Sequence, residues 1–224
     1  MSKAMLFPFV LASLALPCRG RPGTDHRRRV GPRQVVRSSC ALYEAAIVVY
    51  DAGTFAMAVV HLISGLPGAG KSTYAQQLQL RTRAVVFTLD RFLITMFGRY
   101  EVPDVGGEEH VRRVLACREV IWMSAEKLLA HGSDVILDDG YFLRGHRRKV
   151  VDAATALGAS AKIHFIDTPL DEIRRRLADR NRSLPVYNFA IEAETLEGCV
   201  RLFETPSDAD AAEVVVVQNT RSSI

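Results

Sequence analysis

The sequence predicts an α/β fold in which one parallel sheet is covered by helices on both faces. Three observations predict it. From Met57 onward, short apolar runs alternate with longer amphipathic stretches, the pattern of successive strands and helices. A glycine-rich stretch lies between the first apolar run and a helix pattern. Three later apolar runs end in aspartates, and the carboxyl ends of parallel strands are where such a sheet places its functional groups.

Each element follows from its local pattern. Aliphatic and β-branched runs predict strands at residues Val59–Ser64, 84–88, 134–138, 162–167 and 214–217. Helical spacing of apolar residues predicts helices at about 70–80, 108–130, 145–157, 170–180 and 191–203. The longest of these carries its apolar stripe through Val111, Leu115 and Trp122, and Gly132 supplies its stop.

Composition limits the classes of protein to consider. The chain of 224 residues is long enough for one domain with an appendage, and 48% hydrophobic content is ample for a core. The formal charge of +4 is unevenly divided, with +5 on residues 1–56 and −1 on the remainder. The body therefore lacks the basic character typical of nucleic-acid binding.

Four scattered cysteines fit a reduced, cytoplasmic protein better than a disulfide framework or a zinc site; they are Cys18, Cys40, Cys117 and Cys199.

Residues 1–56 differ in composition from the body, which we place at 57–224. An apolar run from Met5 to Leu16 imitates a secretory signal but is too short to span a bilayer, and the Gly/Pro/Arg-rich stretch after it predicts disorder. Three interpretations stay open: a translated upstream region before a start at Met57, a targeting segment, or a genuine extension. The first is favoured because Met57 directly precedes the first strand. No membrane association is expected.

The stretch GLPGAGKST carries the strongest functional signal. It fits the pattern G-x-x-x-x-G-K-[ST], whose backbone amides surround nucleotide phosphates while the lysine reaches the outer two. Glycine allows a positive φ and clears side chains from the path of the anion, and the start of the next helix adds unpaired N–H donors. The predicted phosphate-binding residues are Gly65, Leu66, Pro67, Gly68, Ala69, Gly70, Lys71, Ser72 and Thr73.

Ser72 and Asp138 are the predicted Mg²⁺ ligands. Serine at this position of the motif places its hydroxyl on the ion. Asp138 ends the apolar run from Val135 to Leu137, and a carboxylate at such a strand end holds the metal, usually through water. The alternative is that Asp138 or Asp139 only caps the following turn.

Asp90, Arg176 and Arg180 join Lys71 as predicted catalytic residues. Asp90 follows the second strand, where a carboxylate on the acceptor side can take the proton of an attacking hydroxyl. Its alternative role is the N-cap of a helix starting at Arg91. Arg176 and Arg180 lie four residues apart on one helical face, and arginines on a closing lid stabilise the charge of a transferring phosphoryl group. The alternative is that both arginines only belong to an ordinary solvated face of the helix.

Two further polar side chains are expected to be structural. Arg118 lies in the apolar row of the longest predicted helix and could face the cleft, but we expect it to extend its charged head to solvent. His61, inside the first strand, is predicted to be a packed residue. The six histidines show no metal-ligand spacing.

Together these motifs resemble the P-loop kinase-type ATP-binding proteins, often filed as AAA-family ATPases or predicted kinases and related to polynucleotide kinase and zeta-toxin-like phosphotransferases. The likeness covers about 59–217 and is carried by residues 65–73, 89–93, 97–98, 135–138, 140–142, 176–181, 187–191 and 202–206. The resemblance implies a three-layer P-loop NTPase fold with strand order 2-3-1-4-5 and an arginine-bearing lid. It also implies ATP and Mg²⁺ as cofactors and transfer of the γ-phosphate to a hydroxyl.

A small hydroxyl-bearing molecule is the expected acceptor. In polynucleotide-kinase-like relatives, an arginine three residues after the aspartate that matches Asp90 assists the reaction, but this chain has Leu93 there. That departure and the charge of −1 on the body disfavour a nucleic-acid end as acceptor. Two alternatives stay open: a polynucleotide 5′-hydroxyl kinase, and a nucleotide-binding switch whose slow ATP hydrolysis only resets its shape.

Overall fold

In the computed structural model, residues 57–219 are described, and strands and helices alternate along them. The predicted leader, residues 1–56, and residues 220–224 lie outside this range. The strands are β1 (Val59–Ser64), β2 (Val85–Thr88), β3 (Val135–Gly140), β4 (Ser160–Asp167) and β5 (Glu213–Gln218). The helices are α1 (Lys71–Thr82), α2 (Leu89–Phe97), α3 (Val102–Val105), α4 (Gly107–Ala130), α5 (Arg144–Ala156), α6 (Leu170–Arg182) and α7 (Ala193–Leu202), with a 3₁₀ turn at Asp208–Asp210.

The strands form a parallel sheet in the order β2-β3-β1-β4-β5, which confirms the predicted topology. β1 lies at the centre, and its Leu62 pairs with Leu137 of β3 on one side and Ile163 of β4 on the other. A central strand of a parallel sheet is buried on both faces, and this is why β1 is a nearly continuous apolar run. The loop that follows β1 therefore starts from the most rigid part of the sheet.

Helices cover both faces of the sheet. Alternation along β1 sends Val60 and Leu62 towards α2, α4 and α5, and Ile63 towards α1, α6 and α7. All three side chains are 0% exposed, and burying each contributes about 1.5–3 kcal/mol to folding. The result is the predicted three-layer arrangement. Across residues 57–219, no helix has both the length and the apolar character needed to cross a bilayer.

Among the differences from the sequence prediction, two bear on the site. β3 continues to Gly140, which pairs with Ser64 of β1 across a register shift, so Asp138 lies inside the strand and not at its end. α2 begins at Leu89 with Thr88 at its N-cap. Asp90 is therefore in the first helical turn, and the N-cap interpretation of this residue is wrong. The short helix α3 has no counterpart among the predicted elements.

Candidate active site

Residues 65–73, here called the phosphate loop, connect β1 to α1. Gly65 opens the loop with a φ of 145°, and its amide donates to the carbonyl of Gly140 at 3.1 Å. A Cβ atom on Gly65 would lie 2.9 Å from the carbonyl oxygen of Ile166. Glycine is required here because the loop starts in close contact with the two strands that flank β1.

The start of α1 is open to an anion. Gly70 occupies the N-cap with a φ of 97°, and within the described residues no side chain caps the amides that follow it. The first turn of α1 also carries no acidic residue. Uncapped amides at a helix start are unpaired donors with partial positive charge, an arrangement that binds phosphate. The geometry predicted from GLPGAGKST is present.

The carbonyl of Ala69 fixes the phosphate loop to neighbouring elements. It accepts hydrogen bonds from Thr168 Oγ1 at 2.9 Å, Asn219 Nδ2 at 2.6 Å and Arg176 Nη1 at 3.3 Å. The backbone N–H of Asn219 donates in turn to the carbonyl of Asp167, at the end of β4, at 2.8 Å. Because three donors from α6 and the ends of β4 and β5 converge on one carbonyl, the phosphate loop is held in shape before any ligand binds.

Lys71 folds back over the phosphate loop. Its Nζ donates to the carbonyl of Leu66 at 2.9 Å. Burial lowers the pKa of Lys71, and the carboxylates of Asp138 and Asp90 oppose that shift. Lys71 Cε also lies beside Gly140, which follows the two aspartates of β3 and has a φ of 91° that favours glycine.

Asp138 is a buried carboxylate with an unsatisfied oxygen. It is 5% exposed and pairs across the sheet with Thr88 of β2. Burial raises the pKa of Asp138, while Lys71 and the hydroxyls of Ser72 and Thr88 lower it. Among residues 57–219, its Oδ2 has no hydrogen-bond partner. Because Asp138 lies inside β3, it does not cap a turn, and its free oxygen is left to a bound group.

Asp90 lies at the start of α2, where the helix dipole favours a carboxylate. Burial raises the pKa of Asp90 to about 6; Lys71 and Arg180 oppose this shift, and Asp138 reinforces it. A carboxylate with this pKa is ionised at neutral pH yet basic enough to accept a proton.

Arg118 does not extend into solvent, so that prediction is wrong. Its Nε and Nη2 donate to the two carboxylate oxygens of Asp139 at 2.6 and 2.9 Å, and its Nη1 lies 3.2 Å from His146 Nδ1. The side chain of Asp139 is only 7% exposed, and a buried carboxylate requires a charged partner. This ion pair borders the site, because Asp139 also acts on the pKa of Asp90.

The arginines of α6 fall into two groups. One group is exposed and pairs with acidic residues of the same helix; its members are Arg174, Arg175 and Arg182. Arg176 and Arg180 are partly buried and reach beyond the helix. Arg176 donates to the carbonyls of Ala69 and Asn219, and Arg180 Nη2 donates to the carbonyl of Phe189 at 3.2 Å. The solvated-face alternative therefore describes the first group only.

Most of the predicted site residues come together. The cluster consists of Lys71, Ser72, Asp90, Asp138 and Arg180, as shown by their mutual effects on pKa. Arg176 contacts the phosphate loop at Ala69 instead, and its role at a transferring phosphoryl group stays a prediction. Sequence reasoning missed Thr168 and Asn219. Both are polar residues directly after a strand, β4 and β5 respectively, which is the signal that could have identified them.

A family model described as AAA domain matches residues 60–206, which include the phosphate loop and the cluster around it. The chain belongs to this AAA domain family. The resemblance to P-loop kinase-type ATP-binding proteins is thereby confirmed. A search of curated protein sequences gave no match.

Solved structures share the fold of this AAA domain protein at low sequence identity. A presumed kinase from Chloroflexus aurantiacus has a TM-score of 0.60 at 16% identity, covering 74% of this chain and 90% of that one. Kti12 from Chaetomium thermophilum, solved with ADP-AlF3, has a TM-score of 0.52 at 16% identity, with coverages of 71% and 89%. A sugar kinase from a Janibacter species has a TM-score of 0.50 at 16% identity, covering 72% of this chain and 85% of that one. These matches confirm the predicted three-layer fold.

Proposed function

We propose that this protein binds ATP with Mg²⁺ and transfers the γ-phosphate to a hydroxyl group of a small acceptor. The observation that carries the proposal is Asp90, a half-buried carboxylate at the start of α2, close to Lys71 and Arg180 beside the phosphate loop and with a pKa raised to about 6. This arrangement provides a base for a hydroxyl group, which nucleotide binding alone does not require. The kinases among the structural relatives support the same class of reaction.

ATP would be held by its phosphates. The amides of the phosphate loop and the uncapped start of α1 supply donors, and the loop is already fixed through Ala69. Lys71 Nζ now bonds the carbonyl of Leu66. A phosphate oxygen is a better partner for the ammonium group than a carbonyl, because both members of that pair are charged.

Ser72 and Asp138 would hold Mg²⁺. The unpartnered Oδ2 of Asp138 and the hydroxyl of Ser72 form an oxygen-only donor set, which suits this cation. When bound, the ion would neutralise charge on the β- and γ-phosphate oxygens. The rest of the chemistry falls to the side chains around it.

Asp90 is proposed to take the proton of the acceptor hydroxyl as that oxygen attacks the γ-phosphorus; the bond from the γ-phosphorus to the β–γ bridging oxygen breaks, and ADP leaves. Arg180 would stabilise negative charge on the transferring group, and Arg176 would assist from the Ala69 end of the phosphate loop. Phosphoryl transfer needs little covalent participation by protein, so placement and preorganised charge would supply most of the rate.

Three features favour a small acceptor over a nucleic-acid end. The body of the chain has a net charge of −1. Leu93, at the position of the assisting arginine in polynucleotide-kinase-like proteins, is 2% exposed and packs in the core. Residues 183–192, here called the lid segment, contact Arg99 beyond the end of α2, and we expect a segment in this position to hinder a polymer more than a small molecule.

Transfer of labelled γ-phosphate from ATP to a panel of sugars, nucleosides, antibiotics and oligonucleotides tests the proposal. The comparison is between the unaltered chain, Asp90→Asn, and Arg148→Ala as a matched control on the exposed face of α5. Loss of the base should slow transfer by about 10²- to 10⁴-fold, while ATP affinity stays within about threefold. If the label appears only as inorganic phosphate, released at the same rate by Asp90→Asn and by the unaltered chain, the proposal is overturned and a nucleotide switch is favoured.

A further inference from the structure

The lid segment is held loosely at its tip. It connects α6 to α7, has no regular helix or strand, and contains no fully buried residue. At its tip, Val186 is 71% exposed and Tyr187 is 44% exposed. Nearer α7, Phe189 and Ile191 are partly buried against the core on the two faces of the sheet. Segments with little buried apolar surface open locally at low cost, so the position of the tip depends on the polar contacts that it makes.

Arg99 makes the main polar contact with the tip of the lid segment, whereas Asn181 bonds the carbonyl and amide of Ile191 near α7. Arg99 lies just after α2, and its Nη2 donates to the carbonyl of Pro185 at 2.7 Å and to that of Val186 at 2.8 Å. Arg91, on α2 itself, places its guanidinium 5.1 Å from the ring centre of Tyr187. Two arginines on the acceptor side thus hold the tip of the lid segment through carbonyls and an aromatic face, and these contacts are exposed to water.

A second row of contacts leads from the same region to the candidate site. The ring of Tyr100, next to Arg99, meets the ring of Phe189 edge-on at 5.2 Å. The carbonyl of Phe189 accepts the hydrogen bond from Arg180 Nη2 at 3.2 Å. The Nε atom of Arg180 is buried and has no partner within residues 57–219, so it is available to a bound group. The lid segment therefore lies between Arg99 and Arg180 and touches both.

We propose that Arg99 is a positioning residue that latches the lid segment and, through the carbonyl of Phe189, holds Arg180 at the site of phosphoryl transfer. The proposal rests on the proposed function for the role of Arg180, whereas the latch itself is a property of the fold. Opening of the latch would admit the acceptor. Closure would bring Arg180 into place and exclude water from the transferring group.

Hydrogen–deuterium exchange of the full chain tests the latch without any need for activity. The lid amides with protein acceptors are those of Ser183, Asn188 and Ile191. In Arg99→Ala, exchange across residues 183–192 should be about tenfold faster, with α1 unchanged within about twofold. Arg99→Lys should show about a threefold effect, because a point charge replaces a planar donor group. Arg148→Ala is the control. If the amides of the lid segment exchange at the same rate in Arg99→Ala as in this control, the proposal is overturned.

A double-mutant cycle tests the coupling to Arg180, with ATP as substrate and water as the acceptor. Arg180→Ala should slow turnover about 100-fold and Arg99→Ala about tenfold. If Arg99 acts through Arg180, the double variant should turn over ATP less than about twofold more slowly than Arg180→Ala alone. A further tenfold loss in the double variant would overturn the coupling. If the unaltered chain shows no turnover or transfer, the proposed function fails, and the exchange result still decides whether Arg99 is a latch.

Discussion

The phosphate loop and the lid segment are held in place by different kinds of contact. The phosphate loop is fixed by its own glycines and by three donors on the Ala69 carbonyl, among which Thr168 is buried. The tip of the lid segment is fixed by exposed arginines, which contact two carbonyls and an aromatic ring. A buried hydrogen bond is expensive to break, whereas an exposed one exchanges readily with water. The molecule thus combines a preformed phosphate site with a movable acceptor side.

The largest effect on stability is expected at the buried ion pair between α5 and the 3₁₀ turn. Arg147 and Asp210 are both 0% exposed, and Arg147 also donates to the carbonyls of Tyr141, Phe142 and Glu204. Arg147→Ala would strand a buried carboxylate and lower the free energy of unfolding by about 3–5 kcal/mol. Urea denaturation followed by circular dichroism measures it.

The control for that change is Arg148→Ala, one residue along the chain. Arg148 pairs with Asp152 on the surface of α5 and should contribute less than about 1 kcal/mol. If the two variants lost the same free energy of unfolding, burial of the Arg147–Asp210 pair would not distinguish it from an exposed pair.

Gly70→Ala tests the preformed shape of the phosphate loop itself. A Cβ atom there would lie 2.4 Å from Asn219 Nδ2 on a backbone with a φ of 97°, so alanine should displace the Asn219 contact with Ala69. We expect a loss of about 2 kcal/mol in ATP binding, or about 30-fold in Kd, measured by calorimetry.

A matched glycine separates the clash from the backbone strain. Gly106 has a φ of 86°, and a Cβ atom there meets nothing within 4 Å. Gly106→Ala should therefore cost about 1 kcal/mol of stability and leave ATP affinity unchanged. Equal losses of affinity in both variants would contradict the role of the Asn219 contact.

Much of the phosphate loop could be predicted from sequence. A backbone motif of nine residues defines it, and the strand and helix that support it are adjacent to it in the chain. The strand order followed from the resemblance, and Asp138 was found because it continues an apolar run. The remaining contacts join distant parts of the chain. Asn219 lies 150 residues from Ala69, and Arg99 lies 86 residues from Pro185. No local pattern specifies such pairs, and this is why the latch became visible only in the fold.

A further predicted effect concerns acid and a buried pair of histidines. His61 Nδ1 and His164 Nε2 lie 2.9 Å apart beneath α1, and Tyr74 Oη lies 2.9 Å from His164 Nδ1. Burial, with help from His61 and Lys162, lowers the pKa of His164 to about 4. The unfolded chain, with an ordinary histidine pKa near 6.5, binds the proton more tightly, so the stabilisation is complete above about pH 6.5 and is lost as pH falls towards 4.

Urea unfolding at pH 7 and pH 4.5 measures this loss, which should be about 2 kcal/mol for this histidine. His164→Gln keeps a hydrogen-bonding group near His61 but does not titrate, so its stability should fall less over the same range. An equal fall in the variant and the unaltered chain would rule out the histidine pair as the source.

The central claim is that the phosphate loop binds a nucleoside triphosphate and presents it to Asp90. Calorimetric titration of MgATP into three proteins tests it most directly: the unaltered chain, Lys71→Met and Asp90→Asn. We predict one saturable site in the unaltered chain, affinity within about threefold of it in Asp90→Asn, and a loss of about 100-fold or more in Lys71→Met. Absence of binding by the unaltered chain, or equal affinity in Lys71→Met, would contradict the claim.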